Sequence, residues 1–133
     1  MRAEHVLVAL RRRAVPLLLV PATVIAGLGS RKVLAGLAAK LAGDALYTVL
    51  VYVIVLVVKP ETSVRRAAAI ALGVSFAIEF AQLTPWPAWL SAKHVLLRLI
   101  FGTTFGAVDL VGYVIGAAAA SVLHGLARRP RGA

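Results

Sequence analysis

The sequence predicts an all-α fold: a polytopic membrane bundle of four transmembrane helices, with a further interfacial or re-entrant helix on the outer side. Three observations predict it. Apolar residues fill 61% of 133 positions and charged residues only 15%, where soluble chains average roughly a quarter charged. The apolar residues are gathered into four long runs, and most of the basic residues are clumped between them. A soluble domain of this length has too little interior to hide so much apolar surface, a difficulty that lipid removes. Residues 1–133 read as a single integral membrane domain, because neither a convincing repeat nor a low-complexity linker divides them.

The first span, about 14–29, is short for a hydrocarbon core that takes about 20 helical residues. It extends back through Val6 to Leu10, with Arg11, Arg12 and Arg13 snorkelling to the interface. Pro16 and Pro21 should bend it. A signal-peptide reading of this stretch carries less weight, since further apolar spans follow. The second span covers about 41–58, the third 67–84 and the fourth 105–124. Between the last two, Ala88 to Phe101 is too apolar for a plain loop and too charged for a fifth span. Ser91, His94 and Arg98 recur there at helical spacing opposite Leu90, Leu97 and Ile100 or Phe101, which predicts one helix lying across the outer mouth.

Loop charges set the orientation. With the N-terminus inside, the inner segments hold Arg2, Arg11, Arg12, Arg13, Lys59, Arg65, Arg66, Arg128, Arg129 and Arg131. The outer ones hold Arg31, Lys32, Lys40, Lys93 and Arg98, so ten basic residues stand against five. Both termini are therefore expected on the cytoplasmic side, with Trp86 and Trp89 as anchors at the outer interface. The net charge of +10 has the same origin, since the basic clumps bracket the spans. A nucleic-acid partner, which needs an aqueous basic face, is not expected. The absence of cysteine excludes disulfides, thiolate metal sites and cysteine catalysis.

Chemistry is concentrated in the acids. Of five in the chain, Asp44, Glu79 and Asp109 fall inside apolar spans, where a carboxylate costs at least about 3 kcal/mol unless it has a partner or a task. Each sits on a polar stripe: Asp44 with Tyr47 and Thr48, Glu79 with Ser75 and Gln82, Asp109 with Gly112, Tyr113, Gly116 and Ala120. Gly112 and Gly116 are expected to admit a neighbouring backbone. Thr23, Gly27, Ser30 and Arg31 make a similar stripe on the first span. All three acids lie toward the outer side, at the level of Arg31, Lys32 and Arg98, and predict one outward-facing polar chamber. The bland alternative is an ion-pair network that only fixes helix register.

No catalytic residue is assigned. No nucleophile–base pair, phosphate-cradling glycine loop or H-E-x-x-H string is present. A metal centre is not expected, because His94 reads as interfacial and His124 lies at the inner end, away from the acids. No cofactor is implied.

The strings Gly29-Ser30-Arg31-Lys32, Gly43-Asp44-Ala45-Leu46-Tyr47, Glu79-Phe80-Ala81-Gln82-Leu83 and Asp109-Leu110-Val111-Gly112-Tyr113-Val114-Ile115-Gly116 resemble a bacterial family of unknown function. Its motifs are SRK, GDxLY, ExxQL and DLxxYxxG, and it is similar to the VanZ-like family associated with teicoplanin resistance. The resemblance implies a helical bundle in a bacterial inner (cytoplasmic) membrane and cell-envelope biology, and it supplies no reaction. VanZ-like proteins often carry an arginine between the E-x-x-Q and the last acidic motif, a place that Arg98 takes here, in surroundings that match poorly.

The leading expectation is a chamber of Arg31, Asp44, Tyr47, Glu79, Gln82, Arg98, Asp109 and Tyr113 that binds a membrane-lipid headgroup or a lipid-linked envelope precursor. The arginines would meet phosphate, and the other residues hydroxyl, amine or amide groups. Its rivals are a structural or accessory subunit and a small proton-coupled transporter with Glu79 as relay. The transporter would need a homo-oligomer to supply enough helices.

Overall fold

A computed structural model of the chain describes residues 2–101 and 106–128. Six helices follow one another: α1 (Arg2–Val33), α2 (Gly36–Val58), α3 (Val64–Ala81), α4 (Trp86–Ser91), α5 (Val95–Phe101) and α6 (Ala107–Arg128). Three of them, α1, α2 and α6, are long and apolar enough to cross a membrane, and they mark the chain as a membrane protein. The third expected span is not among the three. Its helix runs for 18 residues and includes Arg65, Arg66 and Glu79, which lower its apolar character. Phe105, Arg129 and Arg131, which entered the expected last span and the charge pattern, lie outside the described residues, as do the side chains of Ile100 and Phe101.

Helix bounds differ from the apolar runs for physical reasons. α1 runs back to Arg2, because nothing in the Arg11–Arg13 cluster opposes helix and long arginine stems can lie along an apolar surface. Pro16 and Pro21 sit inside it, and Thr23 Oγ1 donates to Leu19 O at 2.7 Å. The chain then reverses within two residues, Leu34 and Ala35. Gly36 makes the reversal with φ near +60°, a left-handed conformation that costs an L side chain roughly 1 kcal/mol or more. α2 therefore starts five residues before the expected span and takes Lys40 into its second turn. Ser63 caps α3, its Oγ accepting from Arg66 N at 3.3 Å.

The expected single helix over 88–101 is two. α4 begins at Trp86 with Pro87 in its first turn, where the missing N–H costs nothing. Residues 92–94 are not helical, and His94 Nδ1 accepts from Leu96 N at 3.1 Å at the start of α5. This local bond competes with a continuous helix. Ser91, on α4, therefore shares no continuous helical face with Arg98 on α5.

α2 and α6 run parallel, since Lys40 meets Asp109 and Tyr52 meets His124. α3 lies antiparallel to both, pairing Thr48 with Ser75 and Glu79 with Tyr113. α1 packs against α2, with Gly27 near Leu46. The apolar core occupies one end of the α2–α3–α6 trio, where Tyr52, Ala67, Ala71 and Ala120 are buried among Val49, Val55 and Leu56. Tyr52 is 1% exposed and its hydroxyl lies 2.6 Å from His124 Nδ1. Apolar side chains over much of the outer surface stand open, Leu18 and Ile25 on α1 among them, as suits a bundle whose solvent is lipid.

Candidate functional site: a carboxyl cluster beneath Lys40

The polar groups gather at the other end of the trio. On α2, Lys40, Asp44, Thr48 and Tyr52 recur every fourth residue and form one stripe that faces α3 and α6. On α3, Ser75 and Glu79 are one turn apart and both buried, at 0% and 1% exposure. On α6, Asp109 and Tyr113 are one turn apart and buried as well. The seam is close because α6 has no side chain where it touches α2. A Cβ on Gly112 would lie 2.6 Å from Asp44 Cβ, and one on Gly116 would overlap the Ala45 carbonyl.

Lys40 Nζ lies 2.6 Å from Asp109 Oδ1, with the lysine side chain 48% exposed and the aspartate 8%. Asp109 is in the first turn of α6, where the helix dipole favours an anion. Its carboxyl is a neighbour of those of Asp44 and Glu79. Glu79 is held from two sides: Tyr113 donates its hydroxyl to Oε2 at 2.6 Å, and the Gly106 N–H donates to Oε1 at 2.7 Å. Gly106 immediately precedes α6, so Glu79 satisfies an N-terminal donor that helix cannot pair for itself. Any larger residue there would press on Asp109, since a Cβ would stand 2.7 Å from its Oδ2. Tyr47 and Phe76 pack against the Tyr113 ring at centroid separations of 6.2 and 6.3 Å and orient its hydroxyl. Asp44 Oδ2 is shut off from solvent and receives no hydrogen bond from a donor among the described residues. One turn further in, the Thr48 and Ser75 hydroxyls are 2.9 Å apart.

The structure thus brings together Asp44, Glu79, Asp109 and Tyr113, with Tyr47 beside them. Gln82 caps the C-terminal end of α3, partly buried, one turn beyond Glu79. Arg31 and Arg98 are exposed, and no ion pair joins either to a carboxylate among the described residues. The base in the cluster is Lys40, which sequence reasoning left in an outer loop. Its i, i+4 spacing to Asp44 was the available signal. The Gly106 backbone donor was also missed, and no side-chain pattern reports it. Among the described residues no group of three His, Cys, Asp or Glu has metal-holding geometry.

Fold and site define a helical membrane protein in which three carboxyl groups gather at one end of the bundle, one of them paired with the Lys40 ammonium. The chain belongs to the family described as protein of unknown function (DUF2809), whose model matches residues 33–117. The matched stretch contains Lys40, Asp44, Glu79, Asp109 and Tyr113, and it leaves out Arg31 and almost all of α1. No curated protein and no solved structure matches the chain.

Proposed function

We propose that the protein is a four-span bacterial inner-membrane protein, akin to the VanZ-like proteins, whose carboxyl cluster receives the amine of a lipid headgroup or lipid-linked envelope precursor. The fourth span in this reading is α3. Its 18 residues measure about 27 Å, close to the ~30 Å hydrocarbon core. Arg65 and Arg66 stand at its first turn and can snorkel, and Glu79 is sheltered by its partners. The Lys40 end then faces outward and both termini face the cytoplasm, by the excess of basic residues at the opposite end.

Single cysteines at Ala35 and Ala92, both exposed, test the orientation cleanly, because the chain has none of its own. Both should react in intact cells with a membrane-impermeant maleimide. Labelling only after cell lysis would invert the topology.

The observation that carries the ligand class is the surplus of acceptors: three carboxyls, one ammonium, and Asp44 Oδ2 buried without a donor. A site built of carboxyl oxygens disfavours a bare phosphate and suits an amine, which brings N–H donors. Half-exposed Lys40 closes the cluster as a tethered ammonium that an incoming amine can displace from Asp109. Arg31 ends α1 at the same end of the bundle, free to meet the phosphate of the same headgroup. Nanodiscs holding phosphatidylethanolamine and phosphatidylcholine separate the two requirements, since both lipids carry phosphate and only the first carries an N–H amine. Native mass spectrometry should find ethanolamine lipid retained in preference by the parent and lost from Asp44→Asn. Equal retention of the two lipids by the parent would sink the amine reading. It would leave the structural alternative, in which contacts among α2, α3 and α6 only hold the trio together.

A further inference from the structure

The opposite end of the bundle carries a feature that the carboxyl cluster does not use. α2 ends at Val58 and α3 begins at Val64, and the turn between them is tightly made. Thr62 donates from both N and Oγ1 to Lys59 O, at 3.1 and 2.6 Å. Arg128 Nη2 donates to Pro60 O at 3.5 Å and ties the end of α6 to the same turn. Two clefts flank it. One, of about 530 Å³, is lined by Lys59, Glu61, Thr62, Ser63, Arg66 and Ile70. The other, of about 240 Å³, lies between the turn and α1 and is lined in part by Arg12 and Arg13. Glu61 lines both clefts and enters no ion pair among the described residues. Four cations therefore border the pair of clefts against one carboxylate.

We propose that this pair of basic clefts is a binding site for the phosphate of an anionic phospholipid, seated at the α2–α3 turn. The ends of α2, α3 and α6 meet here, so the clefts open at headgroup depth on the face richest in Lys and Arg, where anionic lipid is the abundant phosphate. Lys59 and Arg66 supply ammonium and guanidinium donors to the larger cleft. Thr62 and Ser63 add polar lining, and Ile70 offers an apolar contact one turn further along α3, on the side an acyl chain would take. The rigidity of the turn matters, since a pre-ordered site loses little entropy on binding. The site rests on the four-span orientation proposed above and not on the amine reading of the carboxyl cluster.

The test uses the full chain in nanodiscs of phosphatidylglycerol and phosphatidylcholine, with lipid retention read by native mass spectrometry. The parent should retain phosphatidylglycerol in clear excess. Arg66→Gln should lower that retention about fivefold, from the loss of one cation near a headgroup. Arg65→Gln, next in sequence but lining neither cleft, should lower it far less. Glu61→Gln should raise retention, a gain that no misfolded variant would give. Equal retention of the two lipids by the parent, or equal losses in Arg65→Gln and Arg66→Gln, would overturn the site. Displacement of the lipid by millimolar inorganic phosphate would overturn the lipid as occupant in favour of a free anion.

Discussion

A methyl group added at Gly116 should force α2 and α6 apart and destabilise the bundle by at least about 2 kcal/mol, as overpacking of a closed interface does. The new Cβ would overlap the Ala45 carbonyl carbon and oxygen, which are backbone atoms and cannot rotate aside. The same seam carries the Lys40–Asp109 pair and the Asp44 contact with Gly112, so Gly116→Ala should disorder the carboxyl cluster as well as loosen the helices. Gly73→Ala is the matched control. A Cβ there meets nothing within 4 Å, and alanine in a helix interior should add about 0.5–1 kcal/mol. Thermal unfolding of the two variants in one detergent compares them directly. A melting temperature for Gly116→Ala at or above the parent's would mean that α2 can withdraw without loss, and the seam would not be the element that sets the site.

Removal of the Glu79 carboxylate should have the second large effect. Glu79→Leu leaves the buried Tyr113 hydroxyl and the half-buried Gly106 N–H without their acceptor. Each orphaned donor costs about 1–3 kcal/mol, toward the lower end inside a bilayer, where the unfolded helices also find partners. A loss of about 3 kcal/mol is expected. Glu79→Gln keeps one oxygen to accept, so it should lose about a third as much. A pair of melting curves decides the matter. If Glu79→Gln proves more stable than the parent, repulsion among the three carboxyls outweighs the hydrogen bonds. The cluster would then be a strained arrangement kept for a task, which is what a binding site predicts and a purely structural network does not.

Much of the architecture could be read from charge and apolar runs alone, and the places where it could not share a cause. The second and fourth apolar runs were legible because few polar residues interrupt them between Tyr47 and Val58 or between Gly112 and Ala120. Lys40 was misplaced because a charge near the edge of an apolar run reads as loop, whereas here it faces acids across the seam and helix extends to include it. The break at residues 92–94 was illegible because it rests on a ring nitrogen of His94 capping two residues ahead, a local bond with no periodicity to betray it. Asp44, Glu79 and Asp109 stood out as acids in apolar surroundings, and i, i+4 arithmetic placed Tyr113 with Asp109. The direction in which Arg31 and Arg98 point was beyond reach, since an exposed arginine in the last turn of a helix obeys no packing rule that spacing reveals.

The reversal at Leu34 and Ala35, with Gly36 turned left-handed, bears on how the chain is made. Two helices joined so closely can enter the bilayer together as a hairpin, and very little chain has to be carried across. In the proposed orientation the only basic residues of this pair that must pass the hydrocarbon are Arg31, Lys32 and Lys40. Lys40 meets its bonded partner Asp109 only when α6, synthesised last among the described helices, docks in parallel against α2. The ion pair that closes the cluster thus also records the completion of assembly.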